Sequence, residues 1–306
     1  MTRYGEWVPY WVTFNEPNIG YGWLYTTYNG LRQIILAHAT VYEWYKMQLL
    51  GTGQITIKLS NTLAMPLDPS NPSHISAALR CQDFDLGIVG NPLFLGKQFP
   101  TDTLTTPNVN LSALTDEEIA WLHGKIDFFA IDSYVSQYAS PSLDMEACMK
   151  NSSDPLWPTC VTLTNVQANG WLMGDASSSY PYIAPQYMRQ QLGYIWNTFR
   201  PSGILISEFG FPEFAESSNS VTAQRYDLDR TLYYQTFLRE ILMSIQEDGV
   251  HVLGTLAWSF VDNNEWGDFA TQFGMQLVNR TNGLLTRTYK RGIFDFVDFF
   301  QEHVDQ

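Results

Sequence analysis

The chain has 306 residues, 45% of them hydrophobic and 16% charged, which is typical of a folded globular protein. Its formal net charge of −14 argues against a nucleic-acid partner, because nucleic-acid-binding proteins present a basic face. No apolar run approaches the roughly 18 residues that a membrane span needs, and residues 1–6 lack the apolar stretch of a signal peptide.

The hydrophobic pattern predicts alternating strands and helices. The predicted strands are residues 8–15, 55–59, 126–131, 204–208 and 250–260. The predicted helices are residues 31–50, 73–90, 185–200, 222–248 and 288–303, with another beginning near Thr115. Segments 91–114 and 135–184 are predicted to be loops. This order predicts one α/β domain over residues 1–306, with a parallel sheet and right-handed crossovers.

Two glutamates end predicted strands. Glu16 follows the aromatic-rich run 7–14, and Glu208 follows the aliphatic run 204–207. The C-terminal ends of the strands form the active-site face of a (β/α) barrel. Removing a carboxylate from water is costly, so a glutamate after an apolar strand favours a functional role. The alternative for each is a surface turn. Two carboxylates on one face are the equipment of a glycoside hydrolase.

A third segment, residues 257–266, combines Trp258, Asp262, Glu265 and Trp266 after the last predicted strand. One interpretation is a polar loop with aromatic anchors. The other is a sugar-binding surface, because indole rings cover the apolar faces of pyranoses while carboxylates bond their hydroxyls.

Cysteine and histidine usage is sparse. Cys148 and Cys160 flank a polar loop and either form a disulfide, leaving Cys81 free, or stay reduced. Glycosylation sequons begin at Asn110 and at two further asparagines, Asn151 and Asn279. Together these features lean towards a secreted parent protein, although the localisation stays open. The five histidines lack ligand spacing and no glycine-rich phosphate loop occurs, so we expect neither a metal nor a cofactor.

Four motifs together resemble glycoside hydrolase family 1, the β-glucosidase family. Residues 11–17 (Trp-Val-Thr-Phe-Asn-Glu-Pro) resemble its acid/base motif, and residues 206–210 (Ile-Ser-Glu-Phe-Gly) lie where its nucleophile motif belongs. Residues 128–134 resemble the strand that carries a tyrosine beside the nucleophile, and residues 257–274 resemble the sugar-binding segment. The resemblance implies a (β/α)8 barrel and covers essentially the whole chain.

The resemblance implies a retaining β-glycosidase that acts on β-glucosides. Glu16 is then the general acid and later the general base, and Glu208 is the nucleophile. Tyr134 donates a hydrogen bond to Glu208 and holds it ionised. We expect a raised pKa for Glu16 and a lower one for Glu208.

The same resemblance implies a sugar-binding set. Asn15 bonds the 2-hydroxyl, Trp258 forms a platform under the sugar, and Glu265 and Trp266 bond hydroxyls at the far end of the ring. A β-glucoside or oligosaccharide is therefore the expected partner. The oligomeric state is not predicted.

Three departures from the family pattern stand out. Phe209 replaces a small polar residue and is expected to reshape the wall of the site. Glu213 and Glu216, which follow shortly after the nucleophile motif, are interpreted as loop charges. Asp132 replaces an asparagine, and an extra carboxylate tends to raise neighbouring pKa values. The resemblance begins at the family's fourth strand, so about five βα units replace the usual eight.

Lacking three strands, the sheet is expected to have an open edge with exposed apolar surface. The chain is then a fragment of a longer β-glucosidase, or a catalytically impaired remnant that acts at most as a sugar-binding or association protein. A different barrel hydrolase sharing the Asn-Glu pair is a third hypothesis, which residues 262–266 disfavour.

Overall fold

The structure is a computed structural model that describes residues 1–5, 7–21, 24–281 and 283–304. Ten strands are present in this part of the chain: β1 (Tyr10–Asn15), β2 (Gln54–Pro66), β3 (Phe129–Pro141), β4 (Val161–Thr164), β5 (Asp175–Ala176), β6 (Tyr182–Ile183), β7 (Ile204–Phe209), β8 (Val252–Ala257), β9 (Gln276–Asn279) and β10 (Thr286–Tyr289).

Ten α-helices lie between and after these strands. They are α1 (Tyr28–Glu43), α2 (Pro72–Gln82), α3 (Ile88–Gly90), α4 (Thr101–Thr105), α5 (Asp116–Leu122), α6 (Met145–Lys150), α7 (Gln186–Phe199), α8 (Val221–Tyr226), α9 (Leu228–Gln246) and α10 (Arg291–His303). Within the described residues, no helix is both long and apolar enough to cross a membrane.

The main sheet has the strand order β1-β2-β3-β7-β8, with β4 paired to β3. The chain forms two compact units. The first comprises residues 1–132, 137–171 and 194–205, and the second comprises residues 133–136, 172–193 and 206–306. Strands β3 and β7 contribute residues to both units.

In the first unit, β1 runs parallel to β2, with Trp11 opposite Ile55 and Asn15 opposite Lys58. The far part of β3 pairs antiparallel with β4. The core combines the apolar face of α1 with residues of β2 that are almost fully buried, because β2 is covered on both faces. A stack of Phe94, Phe129 and Phe199 closes this core, with centroid distances of 5.2 and 5.5 Å along the stack.

In the second unit, the amide of Trp258 donates to the carbonyl of Phe209 (2.8 Å) and joins the ends of β8 and β7. Strands β9 and β10 form an antiparallel hairpin. Helices α9 and α10 pack together through an edge-to-face contact of Tyr234 with Phe296 (centroids 5.4 Å apart) and a hydrogen bond from Gln235 to Asp295 (3.0 Å).

The five predicted strands correspond to β1, β2, β3, β7 and β8. The loop prediction for residues 91–114 is wrong in part, since α4 lies there. The prediction for residues 135–184 is also wrong in part. This segment holds α6, β4, β5 and β6, together with the end of β3, which continues because β4 supplies its hydrogen bonds.

The predicted helix 222–248 is two helices, because Asp227 adopts a left-handed conformation (φ 53°) that ends α8. The predicted start of the terminal helix at residue 288 is wrong, since Thr286–Tyr289 pair with β9 and α10 begins at Arg291.

The two cysteines that flank the polar loop, Cys148 and Cys160, form a disulfide with their Cα atoms 5.8 Å apart. Cys81 is a buried free thiol. Of the two alternatives left open by the sequence, the disulfide is confirmed.

The strand at each end of the main sheet exposes apolar side chains, as predicted for an open sheet. Tyr10 and Val12 of β1 are 46% and 43% exposed in the first unit. Leu256 of β8 is 56% exposed in the second unit.

Candidate active site

Glu16 directly follows β1 and has an unusual backbone conformation. Its φ of 45° lies in the left-handed region, which costs a non-glycine residue about 1–2 kcal/mol. The amide of Glu16 donates to the carbonyl of Lys58 on β2 (2.8 Å). The Asn18 side chain bonds both the amide (3.1 Å) and the carbonyl (2.5 Å) of Ser60. These bonds hold the turn that carries Glu16 against the middle of β2.

Asn15 and Glu16 therefore lie side by side at the C-terminal end of β1, with Asn15 exposed and Glu16 half-buried. Strain of this kind is concentrated at functional sites, where the surrounding structure fixes a conformation that the chain would otherwise avoid. The first unit thus presents the predicted acid/base residue and its amide neighbour together.

Asp132, the extra carboxylate, has a partner that the sequence analysis missed. The Nζ of Lys58 on β2 lies 3.1 Å from Oδ2 of Asp132 on β3, and the Asp132 side chain is completely buried. One carboxylate oxygen of Glu16 lies within 4.8 Å of one of Asp132. An ammonium group therefore accompanies the extra carboxylate, which the sequence analysis did not predict. A lysine between the buried Ile57 and Leu59 was the available signal.

In the second unit, the hydroxyl of Tyr134 on β3 donates to Oε2 of Glu208 on β7 (2.9 Å). The Tyr134 ring is held edge-on by Tyr180 and Phe273, at centroid distances of 5.6 and 5.9 Å. Glu208 itself is half-buried. A rigid phenol that donates to one carboxylate oxygen fixes the direction of that carboxylate.

The segment after β8 joins two further predicted residues. The indole Nε1 of Trp258 donates to Oε2 of Glu265 (3.0 Å), and Glu265 is only 7% exposed. Trp266 is 70% exposed, so its ring is open to solvent. Gly210, which follows the nucleophile motif, allows the close approach of β7 to this segment, because a Cβ there would lie 2.0 Å from the carbonyl oxygen of Trp258.

A buried network of charged side chains holds the segment that follows β8 in place. Nζ of Lys290 contacts Oε1 of Glu216 (2.6 Å) and Oδ1 of Asp262 (3.1 Å), and all three side chains are at most 1% exposed. Asp262 also accepts from the amide of Gly274 (2.9 Å) and from the Gln272 side chain (3.1 Å). The network thereby fixes both ends of residues 262–274.

Arg230 on α9 completes this network. It forms ion pairs with Glu216 and Asp227 and donates to the carbonyls of Phe211 (2.8 Å) and Gln272 (2.6 Å). Burial alone would raise the pKa of Glu216, but Arg230 and Lys290 outweigh it and hold that pKa below its ordinary value. Burial dominates at Asp227 and raises its pKa.

Two sequence interpretations are corrected here. Glu213 and Glu216 are not loop charges: Glu216 belongs to the buried network, and buried Glu213 accepts from the amide of Asp229 (2.9 Å) at the start of α9. Phe209 does not shape an open wall. It is fully buried against Tyr233, Tyr234 and Phe296, with centroid distances of 5.3 to 6.4 Å.

Solved structures of β-glucosidases with the barrel fold are similar to this chain. The β-glucosidase from Trichoderma harzianum has a TM-score of 0.87 and 26% identity, covering 98% of this chain and 67% of that one. A rice β-glucosidase in a covalent complex with Glc has a TM-score of 0.85 and 27% identity, covering 96% of this chain and 66% of that one.

The model of glycosyl hydrolase family 1 matches residues 1–304, and the chain belongs to this family. Beta-glucosidase 1B of Phanerodontia chrysosporium is 30% identical over 310 residues, covering 90% of this chain and 54% of the relative. Beta-glucosidase 34 of Oryza sativa subsp. japonica is 27% identical over 308 residues, covering 91% of this chain and 60% of the relative. The chain thus spans little more than half the length of these curated relatives.

Proposed function

We propose that this chain carries the catalytic residues of a retaining β-glycosidase acting on β-glucosides. The observation that carries the proposal is the hydrogen bond from Tyr134 to Glu208 (2.9 Å), which orients a carboxylate at the end of β7. In the first unit, Glu16 follows the end of β1 and is the second glutamate of the proposal. Membership of a family that includes the two β-glucosidases described above supports the substrate class.

In the first step, an oxygen of Glu208 attacks the anomeric carbon while Glu16 transfers its proton to the glycosidic oxygen. The bond between that carbon and the aglycone breaks, and a glycosyl ester of Glu208 forms. In the second step, Glu16 takes a proton from water, and the water oxygen attacks the anomeric carbon and displaces Glu208. A retaining mechanism requires the two carboxyl groups to be about 5–5.5 Å apart.

The remaining predicted residues take binding roles in this proposal. Asn15 bonds the 2-hydroxyl, a contact that strengthens in the transition state. Trp258 stacks under the sugar, and its hydrogen bond to Glu265 (3.0 Å) orients the carboxylate towards hydroxyls at the far end of the ring. The exposed ring of Trp266 supplies a further contact there.

Hydrolysis of a chromogenic aryl β-glucoside tests the proposal. We expect turnover by the 306-residue chain and none by Glu208→Gln. Glu302→Gln, which changes an exposed glutamate of α10, is the matched control and retains full activity. We expect Glu16→Gln to lower the rate about 10²–10⁴-fold, the usual contribution of a general acid/base.

Azide restores part of the turnover of Glu208→Gly, because a small anion occupies the space of the missing nucleophile. Equal turnover by Glu208→Gln and the unchanged chain would refute the assignment. A folded chain without any turnover would instead favour the remnant hypothesis, with sugar binding as the activity to measure next.

A further inference from the structure

Lys58 is an unusual residue for its position. It lies in the middle of β2, in the run Ile55–Leu59, where every residue is buried. Lysine is rarely buried unless it is paired, because removing an ammonium group from water is costly. Its partner is Asp132 on the neighbouring strand (3.1 Å), at the position where the family pattern has a neutral asparagine.

This ion pair lies next to Glu16. The backbone carbonyl of Lys58 accepts a hydrogen bond from the amide of Glu16 (2.8 Å), and the Asp132 and Glu16 carboxylates approach within 4.8 Å. Two carboxylates at this distance disfavour each other's ionisation, and a cation beside them favours it. The two charges of the pair therefore act on Glu16 in opposite directions.

We propose that Lys58 and Asp132 are a charge-balanced positioning pair that sets the proton affinity of Glu16. The inference rests on the proposed role of Glu16 as acid and then base. Such a residue must hold a proton before the first step and lack it before the second, so its proton affinity controls both half-reactions. Asp132 alone would keep the proton on Glu16, and Lys58 alone would remove it.

Two further titratable groups of the first unit, His38 and Asp85, bond to residues close to Glu16 in the sequence. His38 on α1 bonds Thr13 of β1 (2.7 Å), and burial lowers its pKa to about 4, so it is neutral at pH 7. Asp85, whose carbonyl accepts from Asn18 (3.1 Å), has its pKa raised to about 7 by burial. In the second unit, Glu208 follows on β7, the next strand after β3 in the sheet, with Tyr134 bonded to it. All these groups are unchanged in the variants below.

Three variants separate the two charges: Asp132→Asn, Lys58→Met and the double variant with both changes. The measurement is the titration of the Glu16 carboxyl carbon by NMR in protein with ¹³C-labelled glutamate, assigned by the loss of its signal in Glu16→Gln. We expect Asp132→Asn to lower the pKa of Glu16 by about one to two units and Lys58→Met to raise it. The double variant returns it to within about half a unit of the unchanged chain.

The high-pH limb of the kcat/KM profile is expected to move with the pKa of Glu16, because that limb reports the proton on the acid. Glu302→Gln, which changes an exposed residue of α10, leaves both readouts unchanged. If Lys58→Met does not fold, Asp132→Asn and the double variant still test the proposal. A Glu16 pKa that is the same in Asp132→Asn, the double variant and the unchanged chain would overturn it.

The NMR titration also separates the two proposals. Shifts of the expected sign in a chain that hydrolyses nothing would support the pair and count against the proposed function. Hydrolysis with an unmoved Glu16 pKa would retain the function and reject the pair.

Discussion

Replacing Lys290 by methionine tests whether the buried network supports the sugar-binding segment. Met has a similar length and no charge, so the change leaves Glu216 and Asp262 without the ammonium group that contacts both, at 2.6 and 3.1 Å. All three side chains are at most 1% exposed, so bulk solvent does not screen the two carboxylates when the ammonium group is lost. Loss of one partner from a buried ion pair costs about 3–5 kcal/mol.

Urea denaturation followed by tryptophan fluorescence measures this loss. For an m-value of about 2 kcal/mol/M, the expected change lowers the midpoint by roughly 1.5–2.5 M. The matched control is Arg291→Met, which removes the adjacent cation in the sequence. Arg291 pairs with Asp295 (3.3 Å), but its side chain is 44% exposed. A surface pair of this kind is worth about 0–1 kcal/mol, so its midpoint hardly moves.

The pH dependence of the Lys290→Met deficit adds a second check. The pKa of Glu216 is held below its ordinary value of 4.5, so its contribution is complete above that value and is lost as the pH falls through the lower, folded-state pKa. Without Lys290, burial is opposed mainly by Arg230, and a proton neutralises Glu216 more easily. The deficit is therefore smaller at pH 5 than at pH 7.5. Equal losses in Lys290→Met and Arg291→Met, at either pH, would refute this account of the network.

Three further predictions concern other parts of the chain. Burial raises the pKa of Asp85 from 3.8 to about 7, so the free energy of unfolding falls as the pH rises across that range. Between pH 5 and pH 8 this fall is worth about 3 kcal/mol, and urea denaturation at the two pH values should show that Asp85→Asn removes it. Phe209→Asn introduces a small polar residue, as in the family pattern, but costs about 3–5 kcal/mol because the ring fills the core beside Tyr233. Thermal unfolding with Phe209→Leu as the milder control measures the difference, and equal melting temperatures would contradict the prediction. Tyr134→Phe removes the hydrogen bond to Glu208 and, on the proposed function, lowers kcat about 10–100-fold in steady-state kinetics, while circular dichroism shows a folded chain. An unchanged kcat would count against a role for that bond.

The sequence predicted the alternation of strands and helices because apolar periodicity and helix-end signals are local. The strand containing Ile204–Phe209 was recognisable from its aliphatic run alone. The length of β3 was not, since residues beyond Asp132 are partly polar and are held as a strand by pairing with β4, which lies about 20 residues further along the chain. Pairing between distant segments leaves little trace in either segment alone.

The same division holds for the candidate site. Glu16 and Glu208 were selected as candidate catalytic residues because each follows an apolar strand. The Tyr134 hydrogen bond was predicted from the family resemblance. The partner of Asp132 was missed because Lys58 lies about 70 residues away and was interpreted only as part of a strand. Glu216 was misinterpreted for a similar reason, since its cations come from α9 and from the residue before α10.

The Lys58–Asp132 pair also restricts how this sequence can have arisen and how it can change. Replacing either residue alone by a neutral one leaves a buried charge without its counterpart, which is strongly destabilising. The residues at these two positions are therefore expected to change together in evolution. Family members with asparagine at the position of Asp132 are expected to carry a neutral residue at the position of Lys58, and intermediates with only one of the two charges are expected to be rare.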